Sequence, residues 1–493
     1  MKSTNQNLVP DRVNPSPDYY CTWQTQLFAT CNGGPAAQRN VIGEDALFGA
    51  EKPFGWSRFY VSARCDLFLV MDDSWDVPPD GNSRFYGSLI PDPQKFPQAT
   101  AGNVSPSVAL GRLTERIRSV GWKGLGGWVC AQEPKDFSGE PETHWQNRLK
   151  VAAESGFAYW KVDWGKRCED ADFRRRLTAL GHGIAPGLTI EHAITTKAIP
   201  HADVFRTYDV PAILSIPMTM RKLANLFPQE KPDSGCRELL NCEDEAYIAA
   251  AGGFTMGIMR HPYTGALPDG RPDPSFPALH RNLKTKMQEI TRAVRWHRLA
   301  PAFGCAEEPF FADTAELCDT WHFENPDAEM ENWWFQNPLL GGVRDNTVSA
   351  SAPARLSRGC PLPSVTPDNN GCVPYVVASK NPSGACSIAT LGRTWGRTYR
   401  IPTCDIALQI GNARTVGAFG DYANLTLETD GAGIQTVLMQ DLAADAAYDI
   451  TDEVRFSGNR LTIPGALIRR IGTESQPAGD TSEPGVVIQL ING

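Results

Sequence analysis

The chain has 493 residues, with 47 Lys+Arg against 56 Asp+Glu and a formal charge of -9. That length leaves room for two or three domains with ample cores. The mildly acidic balance offers no electrostatic footprint for nucleic acid or an anionic membrane, and no apolar run of about 18 residues predicts a membrane span.

The opening Met1-Lys2-Ser3-Thr4-Asn5-Gln6-Asn7 has no apolar signal-peptide core, which favours a cytoplasmic location over export with the signal removed. Thirteen cysteines are scattered without a CxxC pair, so no metal or other cofactor is expected. Cys21 with Cys31, or Cys236 with Cys242, would be the pairs in an oxidising compartment; most of the thirteen read as small core residues.

Residues 1–18 form a polar, Pro-rich arm. Tyr19 to Gln24 reads as a first strand. Leu67 to Met71 is a second, ending on Asp72-Asp73-Ser74-Trp75-Asp76, and a long Pro/Gly loop follows over 77–106. Val108 to Ser119 is helical in pattern, with Leu110, Leu113 and Ile117 on one face. Leu125 to Val129 is the third strand. A helix from His144 to Ser155, stopped by Gly156, leads to the fourth, Ala158 to Val162. That strand ends on Asp163, and Trp164-Gly165 turn the chain away.

The rhythm continues with a helix from Asp170 to Leu180 and a strand from Ala185 to Ile190 that ends on Glu191-His192. Ala202 to Thr207 ends near Tyr208-Asp209, Cys236 to Asn241 on Glu243-Asp244, and Phe254 to Met259 on Arg260-His261. Arg281 to Leu299 is a closing amphipathic helix. Eight strands, most alternating with helices, predict a (β/α)8 barrel over residues 1–305. A doubly wound open sheet is the alternative, without a GxGxxG or Walker sequence to support it. Residues 306–370 read as an irregular connecting segment, whose Trp333-Trp334 fits packing better than a sugar platform. Short alternating runs over 371–493, such as Cys386 to Leu391 and Ile406 to Ile410, predict an antiparallel β-sandwich.

In a parallel barrel the C-terminal strand ends open into one mouth, where catalytic groups sit. Taken singly, a carboxylate at such an end is as consistent with a strand or helix cap as with chemistry. Here Asp72-Asp73, Asp163 and Asp209 end strands two, four and six, with Glu191 on strand five. Lys161, Arg206 and Arg260 compensate their charge, and Trp23, Trp75, Trp128 and Trp164 lie beside the same ends. Carboxylates, a few cations and aromatic faces suit an uncharged polyol ring better than a phosphate. Two carboxylates flanking one bond are the requirement for glycoside hydrolysis.

Asp72-Asp73-Ser74-Trp75, then Pro91-Asp92-Pro93-Gln94-Lys95-Phe96-Pro97, then Gly121-Trp122-Lys123-Gly124-Leu125, then Lys161-Val162-Asp163, taken in that order, resemble the α-galactosidase superfamily, glycoside hydrolase clan D. The match spans residues 19 to 300, and the all-β tail fits the family as well. The resemblance implies Asp163 as nucleophile and Asp209 as acid/base. It implies Asp72, Asp73 and Lys161 as hydroxyl ligands, with Glu191 and Arg206 near the sugar's 2-substituent. Trp23, Trp128, Trp164, His192 and Arg260 complete the expected substrate contacts.

Three departures stand out. Two residues separate Arg206 from Asp209 where many members have three, which makes Asp203 a rival acid/base. The third strand ends Gly126-Gly127-Trp128-Val129-Cys130-Ala131-Gln132, unlike the family, and tryptophan follows the nucleophile. The expected activity is a retaining exo-α-glycosidase on terminal galactosyl or related sugars, with an oligosaccharide or glycan as partner. A raffinose-synthase-like transglycosylase, β-L-arabinopyranosidase or α-N-acetylgalactosaminidase specificity, and an inactive carbohydrate-binding protein are the alternatives. The oligomeric state, homo-oligomer included, is left open.

Overall fold

The computed structural model describes residues 2–31, 33–82, 85–208, 210, 213–227, 231–233, 235–273, 281–324, 347–431 and 433–492. Eight parallel strands form the barrel: β1 (Tyr19–Cys21), β2 (Phe68–Met71), β3 (Gly124–Val129), β4 (Tyr159–Val162), β5 (Thr189–His192), β6 (Val204–Arg206), β7 (Leu239–Asn241) and β8 (Gly257–Ile258). Each pairs with the next from β1 to β7, and β8 returns to β1. A parallel bridge between Asn241 and Thr255 closes the last seam. All eight expected strands are present.

Two boundaries that differ from expectation bear on the site. β1 stops at Cys21 because a helix, Trp23–Ala29, starts at once; Trp23 is therefore its first helical residue and not part of a strand. β5 runs through His192, so Glu191 and His192 are strand residues on opposite faces, not a tip.

Alternation decides what enters the barrel. On β4, Trp160 and Val162 join the outer core with Trp145 and Phe173, which leaves Tyr159, Lys161 and Asp163 on the inner side. On β1 and β2, Tyr20, Leu69 and Met71 face out, while Tyr19, Cys21, Phe68 and Val70 cluster with Tyr159 inside. β3 makes room for that ring with Gly126, where a Cβ would lie 2.6 Å from the Cβ of Tyr159.

The covering helices are α1 (Pro106–Ser119), α2 (Pro141–Ser155), α3 (Ala171–Ile184), α4 (Ser215–Leu226), α5 (Ala246–Gly252) and α6 (Met287–Trp296). Leu110, Leu113 and Ile117 of α1 are buried as its periodicity requires. α2 ends on left-handed Gly156. Asp170 is the N-cap of α3, accepting from the Phe173 amide at 2.9 Å.

Beyond the barrel a nine-stranded sheet faces a five-stranded one. Val376, Ile388 and Val416 of the first pack on Ile406, Leu425 and Ile463 of the second. This sandwich is mainly antiparallel, as expected, with three parallel pairings. Strands 355–358 and 375–380, 386–391 and 415–419, and 405–411 and 424–429 pair in parallel. Between the members of each pair the chain visits the opposite sheet, so it returns in the same direction. The connecting segment is also structured: Phe310–Ala312 and Arg355–Arg358 extend the large sheet, and Ser364–Thr366 the small one. Trp333-Trp334 lies outside the described residues.

Barrel and sandwich share one core. Arg292 of α6 makes a bidentate, fully buried pair with Asp441 at 2.9 and 3.1 Å. Arg358 donates to the carbonyls of Gly252, Gly253, Phe303 and Gly304. The thirteen cysteines are free: Cys21 faces the barrel interior and bonds Asp72 instead of Cys31, and Cys236 and Cys242 stay apart. Among the described residues, no helix is long and apolar enough to cross a membrane.

Candidate active site

Asp163 follows β4 at the C-terminal end of the barrel. Its Oδ2 accepts from Trp128 Nε1 at 3.0 Å. Arg206 Nη2 lies 3.0 Å from its Oδ1, at an angle that gives an ion pair without a formal hydrogen bond. Burial pushes the carboxyl pKa up, but Arg206 and Lys161 outweigh it and hold the group below the usual aspartate value. It therefore stays ionised. Arg174 of α3 fixes the backbone from behind, donating to the carbonyls of Asp163 at 2.8 Å and Cys168 at 2.9 Å.

Two residues back on the same face, Lys161 Nζ donates to Asp72 Oδ2 at 2.7 Å. The Cys21 thiol donates to the same oxygen at 2.8 Å, and the Thr22 hydroxyl accepts from the Asp72 amide. Burial works against the Lys161 charge, yet Asp72 raises its pKa. Asp73 takes a different partner. The chain leaves the strand through Ser74, at φ 75°, and Ser74 Oγ donates to Asp73 Oδ1 at 2.6 Å. Burial, with Asp72 close by, pushes the Asp73 carboxyl up to about 6. The Pro91 to Pro97 loop braces this exit: Lys95 Nζ donates to Ser74 O at 2.7 Å.

Arg206 ends β6 and is met by three acids. Besides Asp163, Glu243 Oε1 lies 3.5 Å from Nη1 and Glu191 Oε1 lies 3.7 Å from Nε. Glu191 is fully buried and belongs to the layer beneath the mouth. Tyr159 donates to it at 2.9 Å, Asn241 at 2.6 Å and Tyr19 at 3.2 Å. Burial raises its pKa, with Arg206 and Asn241 offsetting in part. It supports Arg206 from below, its Oε1 3.7 Å from Arg206 Nε.

Other expected contacts fall elsewhere. His192, one step along β5, faces outward: Nδ1 meets Arg174 at 3.0 Å and Nε2 meets Thr178 at 2.8 Å. Burial and the Arg174 charge hold its pKa well below 6.5, so it is neutral. Arg260 is fully buried and ties loops together, donating to the carbonyls of Leu283 and Asp244. Trp23 is half-buried and packs on the inner cluster of Tyr19 and Cys21. Asp203 precedes β6 at the opposite, N-terminal end, where it accepts from His182 at 2.8 Å and the Ile190 amide at 3.0 Å. That position removes it from the mouth.

Asp209 lies outside the described residues. The chain leading to it is pinned: Thr207 N donates to Asn241 O at 3.1 Å, and Lys222 Nζ donates to the carbonyls of Thr207 and Tyr208. Glu243 and Asp244, at the end of the seventh strand, have separate partners. Glu243 pairs with Arg206, and Asp244 Oδ1 accepts from the amides of Met259 and Arg260. Sequence reading missed Cys21, Asn241 and Glu243. Strand alternation is the signal for the first two, because Tyr19 and Cys21, and Leu239 and Asn241, share a face. Tyr86, from the long loop, packs on Trp128 at 5.5 Å, and no local pattern marks it.

No protein-family model matches the chain, and no curated protein sequence does. Among solved structures it is similar to a family 27 β-L-arabinopyranosidase from Geobacillus stearothermophilus, with 8% identity and TM-score 0.41 over 97% of this chain and 96% of that one. A candidate α-N-acetylgalactosaminidase from Bacillus halodurans C-125 gives 8% identity and TM-score 0.41 over 99% of each chain. The family 36 α-galactosidase AgaA from Geobacillus stearothermophilus gives 12% and 0.35, over 65% of this chain and 48% of that one. Two of these three structures are glycoside hydrolases of families 27 and 36.

Proposed function

We propose that the protein is a retaining, exo-acting α-glycosidase of α-galactosidase type, working by double displacement. The observation that carries this is Asp163: an ionised carboxylate at the barrel mouth, held between Trp128 and Arg206, two residues along one strand face from the Lys161–Asp72 pair. In the first step Asp163 attacks the anomeric carbon while Asp209 protonates the leaving oxygen. In the second Asp209 takes a proton from water, which releases the sugar from Asp163 with net retention. Asp72, Asp73 and Lys161 bind the hydroxyls of the terminal ring. Arg206 and Glu243, with Glu191 behind Arg206, face the sugar's 2-substituent.

The test is hydrolysis of p-nitrophenyl α-D-galactopyranoside, with the first-formed anomer read by proton NMR. Parallel reactions use the β-L-arabinopyranoside and the α-N-acetylgalactosaminide. The α-anomer should form first, and Asp163→Asn should abolish turnover with the fold unchanged by circular dichroism. Inversion, or near-native activity in Asp163→Asn, would overturn the assignment.

A further inference from the structure

Three rings stand edge-on to one another beside Asp163. Trp128 and Trp164 are 5.5 Å apart at 60°, Tyr86 and Trp164 5.3 Å at 90°, and Tyr86 and Trp128 5.5 Å at 68°. The inner two are almost wholly buried and tied to the polar floor. Trp128 bonds Asp163, and Tyr86 OH is 3.3 Å from Ser74 Oγ, whose hydroxyl bonds Asp73. The outer ring is different: Trp164 is 39% exposed, and no other tryptophan among the described residues is an exposed large hydrophobic.

This exposure does not belong to a loose loop. Trp164 O accepts from Ala131 N at 2.8 Å, and Arg167 N donates to Ala131 O at 2.9 Å, so the loops after β3 and β4 are clasped. Gly165 sits at φ 142°, with its missing Cβ 2.8 Å from Ala131 N, so only glycine fits the clasp. An indole is thus held rigidly, and wet, on the outer side of the nucleophile. Covering it removes apolar surface from water, and a rigid ring loses little freedom when it is covered.

Resting on the glycosidase reading above, we propose that Trp164 is the platform for the group on the far side of the cleaved bond: a ring with one flat apolar face, either a second pyranose or an aryl aglycone. The terminal sugar fills the floor between Asp163 and Asp72. What leaves it, and what enters as acceptor in a transfer reaction, passes over the outer ring of the aromatic set.

The experiment compares the parent protein with Trp164→Ala and Trp164→Phe on three substrates. These are an α-galactosyl disaccharide, p-nitrophenyl α-galactoside, and α-galactosyl fluoride, whose leaving group has no ring. In Trp164→Ala, kcat/KM should fall about tenfold on the ringed substrates, and by no more than about twofold on the fluoride, with Trp164→Phe restoring most of the loss. A loss on the disaccharide alone assigns the platform to sugar, and a loss on the aryl glycoside alone assigns it to an aromatic aglycone. Equal losses on all three, fluoride included, would make Trp164 a prop for Asp163 and overturn the platform; no loss on any would do the same. Turnover of the fluoride by the parent tests the glycosidase reading separately. If the parent neither turns over nor, by tryptophan fluorescence, binds any of the three, both readings fall.

Discussion

Arg206 places Nη2 3.0 Å from Asp163 Oδ1 while its other nitrogens face Glu191 and Glu243. One guanidinium thus balances three acids, all of them buried. Removing it leaves that charge uncompensated, which costs about 3–5 kcal/mol for a buried pair broken on one side. Arg206→Met should therefore lower stability by that order in urea unfolding. It should also raise the Asp163 pKa and move the acidic limb of kcat/KM to higher pH. Unchanged stability together with an unchanged limb would mean that Arg206 does not set the charge of Asp163.

Asp73 gives a second pH dependence. Its carboxyl is pushed up to about 6, and it must be ionised to accept bonds from sugar hydroxyls without donating. kcat/KM for p-nitrophenyl α-galactoside should fall as pH drops through about 6. Asp73→Asn should lose that limb and about ten- to a hundredfold of rate at pH 7, the worth of one charged acceptor bond. A limb that persists in the variant assigns the titration to another group.

For Asp209 the expected signature is a dependence on the leaving group. A poor leaving group needs protonation, worth about 10²–10⁴-fold. Asp209→Ala should therefore lose that much on an unactivated disaccharide and far less on an activated aryl glycoside in the glycosylation step. Losses of equal size on both would place the acid elsewhere.

Glu238, just before β7, is 1% exposed, and among the described residues neither of its carboxylate oxygens makes a hydrogen bond of good geometry. Burial pushes its pKa from 4.5 up to about 7, against the pull of the Ala306 amide and Arg358. A raised carboxyl binds its proton more tightly in the folded state. The stability this gives is fully present below pH 4.5 and is lost as pH rises through about 7. Glu238→Gln should match the parent near pH 4.5 and exceed it by about 1–3 kcal/mol at pH 8, the cost of an unsatisfied buried group. Parallel denaturant curves at the two pH values check this, and a variant less stable at pH 8 contradicts it.

The barrel was legible because its strands are short apolar runs, each ended by a charged residue or a turn. That Asp163, Lys161 and Asp72 would meet at the strand ends was legible because their motifs are local. Glu191 was found at the right strand but on the wrong level: a boundary drawn after Ile190 made a tip out of what is an inner strand residue. The same shift put His192 at the mouth, whereas strict alternation carries it to α3. Arg260 was misread because its partners, the carbonyls of Leu283 and Asp244, come from separate segments that no local pattern joins. The strands at 310–312 and 355–358 were missed for a related reason, since their pairing is with each other and with 375–380, not with near neighbours.

The Gly485–Asn492 strand sits between Ile434–Asp441 and Thr415–Phe419, inside the nine-stranded sheet, yet it is made after every strand it touches. On the ribosome the large sheet therefore waits in two halves with a slot between them. Its edges are open until that strand emerges. Nascent chains stopped short of residue 485 should expose two unpaired strand edges, a template for self-association, so the interval before the slot fills is when the molecule depends most on being shielded from its own copies.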